Sequence, residues 1–345
     1  MPSSEDRLVL VTGASGYSGR FLVERLLDRG FSVRAFDRRR HPELDPRATF
    51  VEGDLTRPRD VEAAVQGVAT VFHLAAIVPF GLAHSVSDVD LDRVNVGGTY
   101  RLVHASRRAG VRRFVLASST GVVFAGESIA RGDESIPVPR RHNDAYSRTK
   151  AEAERIVLGA ATPRFATLAI RPNGIWGPGE EHHIPKVLMA ARAGLDRFTF
   201  GDDALTDFTH RENLVHAFLL AEEKLRTEPG RVSGKAYFVT DGEPMNTFAF
   251  FRPLVVGLGY PPPLASVPGK AMLPVAFAME AAARLLRPLV DFEPPLTRAD
   301  VRKCIAHNYF DSSRAANELG YAPVIDHARG MAECIAYYRA RGFAK

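Results

Sequence analysis

Two cysteines in 345 residues, Cys304 and Cys334, are too few for a disulfide framework and do not stand at metal-ligand spacing from each other. Both are expected as reduced thiols, and no metal is expected. No apolar run approaches the ~20 residues of a membrane-crossing helix. The segment Met1 to Arg7 lacks the basic start and apolar core of a secretory signal, so the chain reads as cytoplasmic. Charge of one sign is scarce too: 45 Lys+Arg against 40 Asp+Glu leave +5, and the longest basic run is Arg38-Arg39-Arg40. With no basic stripe and no nucleic-acid motif, the reading is no nucleic-acid partner. There is no internal repeat and no low-complexity tract. A hydrophobic content of 46% suffices for a sizeable core in one large domain or two coupled ones.

What the chain has is a buried-strand signal that runs straight into three glycines, Leu8 to Gly19, spaced G-x-x-G-x-x-G. A continuous apolar run too short for a helix fits a strand covered on both faces of a parallel sheet. Gly13 permits a tight turn, Gly16 lets backbone N–H groups approach a pyrophosphate, and Gly19 lets the next helix pack on the sheet. Ser15, Gly16 and Tyr17 are thereby placed at a helix N-terminus suited to phosphates. The second strand, from Ser32, ends in Asp37, an acidic residue at the distance expected for ribose hydroxyls, with Arg38 beside it. Asp37 would accept from a free 2′-hydroxyl and face a 2′-phosphate as a like charge. NAD is therefore expected in preference to NADP, although the arginines past Asp37 are what a phosphate-binding variant would use.

Alternation of strand and helix continues. A strand at 48–52 leads to Asp54 and Leu55, with Asp54 placed for the adenine edge. A helix at 59–66 precedes the strand at 70–74, and Leu74, Ala75 and Ala76 leave that strand at its carboxyl end, where ligands bind in such sheets. A long helix is predicted over about 88–109, then a strand at 114–117 that delivers Ser118, Ser119 and Thr120. A helix beyond Asp144 and a strand at 166–171 ending in Pro172 and Asn173 complete the pattern. The fold class is α/β, a Rossmann-like doubly wound parallel sheet with a smaller C-terminal substrate-binding lobe. Residues 5–174 and 206–240 are assigned to the dinucleotide-binding domain, with a return strand near 236–240. Residues 175–205 and 241–345, richer in Gly-Pro loops, are assigned to the lobe.

Tyr146 and Lys150 stand four apart on the helix, so their side chains share a face one turn apart. A phenol of ordinary pKa about 10 becomes a usable base when a lysine ammonium and a positive nicotinamide ring lie nearby, at a cost of roughly 4 kcal/mol of differential stabilisation. Tyr146 is read as the general acid/base, Lys150 as its tuner, and Ser119 as the hydrogen-bond donor to the substrate oxygen, with Ser118 and Thr120 as alternatives.

Taken together, Thr12-Gly13-x-x-Gly16-x-x-Gly19, Gly53-Asp54-Leu55, His73-Leu74-Ala75-Ala76, Asn95-Val96-x-Gly98-Thr99, Ser118-Ser119 and Tyr146-x-x-x-Lys150 resemble the extended short-chain dehydrogenase/reductase family. The resemblance implies a catalytic set of Ser119, Tyr146 and Lys150. It also implies that Asn95 organises its helix or a proton path; alternatively, Asn95 bonds a neighbouring carbonyl and no more. In the second half, Arg171-Pro172-x-x-Ile175-Trp176-Gly177-Pro178-Gly179, Asp207-Phe208-Thr209-His210-x-Glu212-Asn213 and the stretch from Gly234 to Pro244 look most like the 3β-hydroxysteroid dehydrogenase and sterol-4-carboxylate 3-dehydrogenase branch. That resemblance implies NAD-dependent oxidation of a ring-bound secondary alcohol, with decarboxylation to follow if a 4-carboxylate is present. Reduction of a 2-alkyl-3-oxo acid and sugar-nucleotide epimerisation are the alternatives. Against the last, Leu205-Thr206 stands where that branch usually has a basic residue to hold a diphosphate.

The expected partner is an apolar small molecule, and a homodimer is left open. Seven phenylalanines, Phe198, Phe200, Phe208, Phe248, Phe250, Phe251 and Phe277, enrich the second half in apolar surface. About a third of them are assigned to a substrate trough and the rest to core. The segment 271–289 reads as an amphipathic helix with Glu280, Arg284 and Arg287 on one face and Phe277, Met279, Ala282, Leu285 and Leu286 on the other. It either covers the pocket or makes peripheral contact with a membrane. His182 and His183 line the substrate entrance or are solvated.

Overall fold

A computed structural model describes residues 6–79, 86–194, 197–201, 203–286 and 296–345, without the side chain of Arg284. Seven strands form one sheet: β1 (Leu8–Thr12), β2 (Ser32–Asp37), β3 (Thr49–Glu52), β4 (Thr70–His73), β5 (Arg113–Ala117), β6 (Ala166–Pro172) and β7 (Lys235–Val239). They lie in the order β7-β6-β5-β4-β1-β2-β3, every pair parallel. β1 pairs with β2 on one side and β4 on the other, so the order reverses there. The crevice beyond the carboxyl ends of β1 and β4 is where such a sheet receives a ligand.

The apolar strands sort their side chains by period two onto two separate cores. Val9, Val11, Phe72, Val115, Leu168 and Ile170 pack with Leu22, Val23 and Leu26 of α1 (Tyr17–Asp28). Leu10, Val71, Phe114 and Leu116 pack on the opposite face, against Val61 of α2 (Pro58–Ala64) and Leu102 and Val103 of α3 (Gly97–Arg108). That face also takes Val157 of α4 (Ala145–Gly159), while Leu214 and Phe218 of α5 (Arg211–Thr227) belong to the first core. Both faces of the sheet are covered, which is why its strands carry near-continuous apolar runs.

One expected helix is interrupted. Residues 88–109 divide into a single turn, Asp88–Leu91, a π-helical turn, Asp92–Val96, and α3. The extra residue in the π turn belongs with Asn95, a buried side chain that bonds the main chain of Ile77 instead of facing solvent. Such turns recur at functional sites.

The second half has its own core, where Trp176, Ile184, Leu188, Phe208, Phe250, Phe251, Met331 and Tyr338 meet. Phe208, Phe250 and Phe251 stack on one another with ring centroids 4.1 to 5.7 Å apart. Phe200 is buried against partly buried Phe248, and Phe198 and Phe277 stay more than half exposed. The chain then returns to the sheet side: Asn308–Phe310 pairs in parallel with Ile129–Gly132, and Ala315, Leu319 and Tyr321 join the first core.

A buried polar lattice fastens the halves. Asp241 accepts from Trp176 Nε1, Asn213 Nδ2 and the His210 amide, each at 2.7 Å. Asn213 Oδ1 in turn accepts the amides of Val324 and Ile325 at 2.7 and 3.0 Å. Asp207 accepts the Gly242 amide at 3.0 Å. The polar residues of the 207–213 motif are thus consumed in architecture. Buried carboxylates and amides persist only when bonded in this way.

Candidate active site

The glycine turn is built as its spacing implies. Gly13 has φ +69°, and a Cβ there would lie 2.7 Å from the Ala75 amide nitrogen, in the loop that leaves β4. At Gly19 a Cβ would stand 2.0 Å from the Gly13 carbonyl oxygen, so α1 crosses the turn at a distance only glycine tolerates. Gly16 is the N-cap of α1 and brings no side-chain cap, which leaves the first amides of the helix directed into the crevice. The Tyr17 hydroxyl donates to the Pro178 carbonyl at 3.3 Å, so its side chain belongs to the joint between the halves and only its main chain can serve a phosphate.

Asp37 closes the other side of the turn. Its Oδ2 accepts the Ser15 amide at 3.0 Å and its Oδ1 the Arg38 amide at 2.7 Å. Ser15, Gly16, Asp37, Arg39, Arg40, His41 and Pro42 line an open hollow of about 320 Å³. The arginines on this wall are Arg39 and Arg40. Arg38 instead acts on Asp54, whose carboxyl stays below its ordinary value: burial pushes it up, and the Thr56 amide and hydroxyl with the Arg38 and Arg57 charges more than offset this. Leu55 is buried under α3, where a Cβ on Gly98 would meet it at 2.9 Å. Leu74, Ala75 and Ala76 are half-buried in the loop at the switch point.

Behind this loop runs a one-way chain of hydrogen bonds. The Ala75 amide donates to Thr12 Oγ1 at 3.3 Å, and Thr12 Oγ1 lies 2.7 Å from His73 Nδ1. His73 Nε2 lies 2.9 Å from Thr99 Oγ1, whose proton goes to the Asn95 carbonyl at 2.6 Å. Thr99 must therefore accept from Nε2–H, and Nδ1 must accept from Thr12. Burial first, and then the Lys150 charge, push His73 down to about 3, so it is neutral and acts as a fixed joint. The sequence reading gave His73 no role, since a lone histidine at a strand end carries no signal of its own.

Asn95 bonds a neighbouring carbonyl and more besides. Its Oδ1 accepts the Ile77 amide at 2.7 Å, while Nδ2 donates to the Ile77 carbonyl at 3.0 Å and to Thr149 Oγ1 at 3.1 Å. The Thr149 hydroxyl donates to the Tyr146 carbonyl at 2.8 Å. The β4 exit loop is thereby tied to the backbone of the residue that carries the phenol.

On α4, Lys150 is buried and its Nζ donates to the Ala117 carbonyl at the end of β5. Burial pushes its ammonium down to about 8, against the pull of Glu154. Tyr146 is half-buried, and burial followed by the Asp144 carboxylate raises its phenol above the ordinary value. Both effects oppose the phenolate, and no lowering by Lys150, the expected tuner, accompanies them.

The three strand-end hydroxyls separate cleanly. Ser118 Oγ donates to Glu154 at 2.6 Å, and Glu154 is held by Arg171 at 2.6 Å, all buried. Thr120 Oγ1 donates to Asn173 Oδ1 at 2.9 Å. Ser119 alone is half-buried; its Oγ accepts the Gly121 amide at 3.1 Å, which leaves its proton to give. A Cβ at Gly121 would meet Ser147 Oγ at 2.7 Å, so glycine lets this turn sit on the catalytic helix. Asn173 Nδ2 donates to the Asp207 and Asn308 carbonyls at 2.7 and 3.1 Å and its amide to Thr209 Oγ1 at 2.9 Å, so these groups of Asn173 are bonded within the protein.

Elsewhere the sequence expectations meet other partners. Glu180 organises 182–184: its carboxylate accepts the amides of His182, His183 and Ile184 at 2.5 to 2.7 Å. Glu280 is held by the Arg298 amide and guanidinium at 2.7 and 2.8 Å, and the Arg284 side chain and residues 287–289 lie outside the described residues. On helix Met272–Leu286 it is the charged Glu280 that faces protein, while Val275, Phe277, Leu285 and Leu286 are exposed. Among the described residues no helix is long and apolar enough to cross a membrane.

The chain is similar to known proteins along most of its length. The family profile described as 3-beta hydroxysteroid dehydrogenase/isomerase matches residues 10–268. A 3-beta-hydroxysteroid dehydrogenase of Mycolicibacterium neoaurum is 41% identical over 340 residues, covering 96% of this chain and 91% of that one. Short-chain dehydrogenase/reductase family 42E member 1 of Homo sapiens is 39% identical, covering 99% and 90%. Among solved structures, MoeE5 in complex with UDP-glucuronic acid and NAD superposes with a TM-score of 0.72 at 26% identity, covering 96% and 99%. Similarity of this kind makes the chain an NAD-dependent oxidoreductase acting on CH–OH groups. With similarity of this depth along nearly its whole length, the chain belongs to the 3-beta hydroxysteroid dehydrogenase/isomerase family of extended short-chain dehydrogenases/reductases.

Proposed function

We propose that the protein oxidises a secondary alcohol with NAD, and that the alcohol is the 3β-hydroxyl of a steroid or sterol. The observation that carries this reading is half-buried Tyr146 one turn before buried Lys150 on α4, with Lys150 bonded to the strand end that delivers Ser119, whose hydroxyl proton is unspent. Relatives named for that activity at about 40% identity support the substrate class. NAD fits the protein's own geometry: the bare start of α1 suits a pyrophosphate, and the Asp37 carboxylate on the wall of the hollow suits a free ribose. Bound there, it would take up the hydride.

The remaining steps belong to the chain. Ser119 holds the substrate oxygen, and the Tyr146 phenolate accepts the hydroxyl proton as the carbinol hydrogen departs with its electron pair. Lys150 fixes the charge balance beside the phenol and is itself held by Ala117. If the substrate bears a 4-carboxylate, the product is a β-keto acid, which loses carbon dioxide into the new carbonyl without a further catalytic group. Long-chain 2-alkyl-3-oxo acid reduction is the same chemistry reversed.

The outward face of helix Met272–Leu286 supports a second part of the proposal, peripheral contact with a membrane that holds an insoluble substrate. The deciding experiment follows reduced-cofactor absorbance with sterols, 4-carboxysterols, 3-hydroxy acids and UDP-sugars, with carbon dioxide release measured for the carboxysterols. Turnover confined to UDP-sugars or 3-hydroxy acids overturns the sterol reading.

A further inference from the structure

The helix Arg298–Ile305 comes from the far end of the chain and is attached to the catalytic loop at two points. Asn143 Nδ2 donates to the Ala299 carbonyl at 3.4 Å, and Lys303 Nζ lies 3.2 Å from Asp144 Oδ2. The same Asp144 is the N-cap of α4, its Oδ1 accepting the Ser147 amide at 2.7 Å. At its other end the helix is anchored by Arg298 to Glu280. One carboxylate therefore joins the start of the catalytic helix to the lobe.

That carboxylate serves two opposed ends. An acidic N-cap satisfies orphan amides and complements the positive end of the helix dipole. Two residues before Tyr146, it also sets a negative charge beside a phenol that must become negative. Asp144 accordingly raises Tyr146, and Lys303 lowers Asp144. We propose that Lys303 is a positioning residue for Tyr146, acting through Asp144 to offset the negative charge at the start of the catalytic helix.

The neighbours leave this role to Lys303. Arg148 is turned to Asp92, which it grips with two bonds of 2.9 Å. Asp300 is engaged in a capping box with Thr297. Facing Lys303 from the helix His183–Ala193, His183 is pushed down to about 4 by burial, then Lys303, His182 and Lys186, so it adds no charge at neutral pH. His142, beside Asp144, is held below its ordinary value by burial, and Cys304 is pushed up to about 12 by burial. On the phenol's own helix, Arg155 is paired with Glu152 and Lys150 is bound to Ala117.

The proposal rests on Tyr146 as the acid/base, and its test reads the phenol directly. Phenolate formation is followed by ultraviolet difference titration in saturating NAD, each variant against the same variant with Tyr146→Phe, so no substrate is needed. Lys303→Met should move the phenol midpoint up by about 0.5 pH unit, about threefold less phenolate at a fixed pH below it. Lys303→Arg should restore it. Asp144→Asn, which keeps the cap and drops the charge, should move the midpoint down, and Lys303→Met added to Asp144→Asn should then have little effect. The pH profile of kcat/KM for whichever alcohol the enzyme accepts should follow the same pattern. An unchanged midpoint in Lys303→Met, or an equal shift with and without the Asp144 charge, overturns the proposal. Failure to turn over any sterol counts against the substrate reading and leaves the phenol titration to stand or fall alone.

Discussion

Replacing Lys150 by methionine should abolish turnover and yet leave the fold at least as stable at neutral pH. Lys150 is 4% exposed, and burial pushes its ammonium from 10.5 to about 8. For a base whose folded value is depressed, the unfolded chain binds more protons between those two values, so stability climbs as pH rises through that window. Below pH ~8 the fold carries the whole cost of the buried charge, which at about 1.36 kcal/mol per pH unit is about 3 kcal/mol at most. Methionine removes that cost but leaves the Ala117 carbonyl without its donor, a loss of about 1–3 kcal/mol. The net is a gain of about 0–2 kcal/mol at pH ~7 that shrinks, and then reverses, as pH approaches ~10.5. Thermal unfolding of wild type and Lys150→Met across that range measures it, with Tm of the variant minus wild type as the readout. A difference that does not fall with rising pH refutes the claim that burial, more than Glu154, governs this ammonium.

Four further outcomes follow from the same structure. Gly19→Ala drives a Cβ to 2.0 Å from the Gly13 carbonyl, so the turn must open and NAD affinity by intrinsic-fluorescence titration should drop at least ~10-fold; a Kd within about twofold of wild type would sink the close-approach argument. Tyr146→Phe should cut turnover by ~100-fold or more with NAD affinity nearly unchanged, and near-normal turnover would remove Tyr146 from its role. Asp37→Ala should weaken NAD and shift the NADP-to-NAD affinity ratio toward NADP by ~10-fold, since a half-exposed carboxylate flanked by Arg39 and Arg40 is partly screened. An unchanged ratio would mean that the arginines govern the hollow. Leu285→Asp, at a side chain 80% exposed, should reduce co-sedimentation with phospholipid vesicles and spare turnover of a detergent-dispersed substrate; equal sedimentation would remove the membrane contact.

The first half of the chain was legible because its signals are local. The glycine spacing, Asp37 at the end of a strand and Tyr146 four residues before Lys150 each state their geometry within a few residues of sequence. The strands follow from apolar runs, and the sheet from their alternation with helices. What escaped are interactions between residues far apart in the chain. Nothing near His73 announces Thr12 and Thr99, and nothing near Ser118 announces the Glu154–Arg171 pair that takes it out of contention. The π turn at Asn95 was hidden because a helical pattern fixes period only coarsely, while the extra residue is demanded by a bond to Ile77. On helix Met272–Leu286 periodicity separated a charged from an apolar face but could not say which was inward. Glu280 faces in because Arg298 waits for it.

The anchors of α4 explain why the catalytic pair and the substrate side are built so differently. Asp144 caps the helix at Ser147, Asn95 ties Thr149, and Arg171 and Ser118 hold Glu154. These are one buried restraint per turn or so, on the side that also carries Lys150. The helix that carries Tyr146 is thereby fixed at several points, each of which would cost about 1–3 kcal/mol to leave unbonded. The Ser119 side chain is held more lightly: its Oγ accepts the Gly121 amide, and its carbonyl accepts the Val122 amide at 3.2 Å. The lobe is tied to the rest of the chain by Asp241, Asn213 and Tyr17. On the proposed function, proton transfer rests on the anchored helix, apart from the groups that choose the alcohol. Substitutions that alter substrate preference are therefore expected in the lobe and in the 119–124 turn, with the pH profile conserved, and Lys303 is the lobe residue at which that separation should fail.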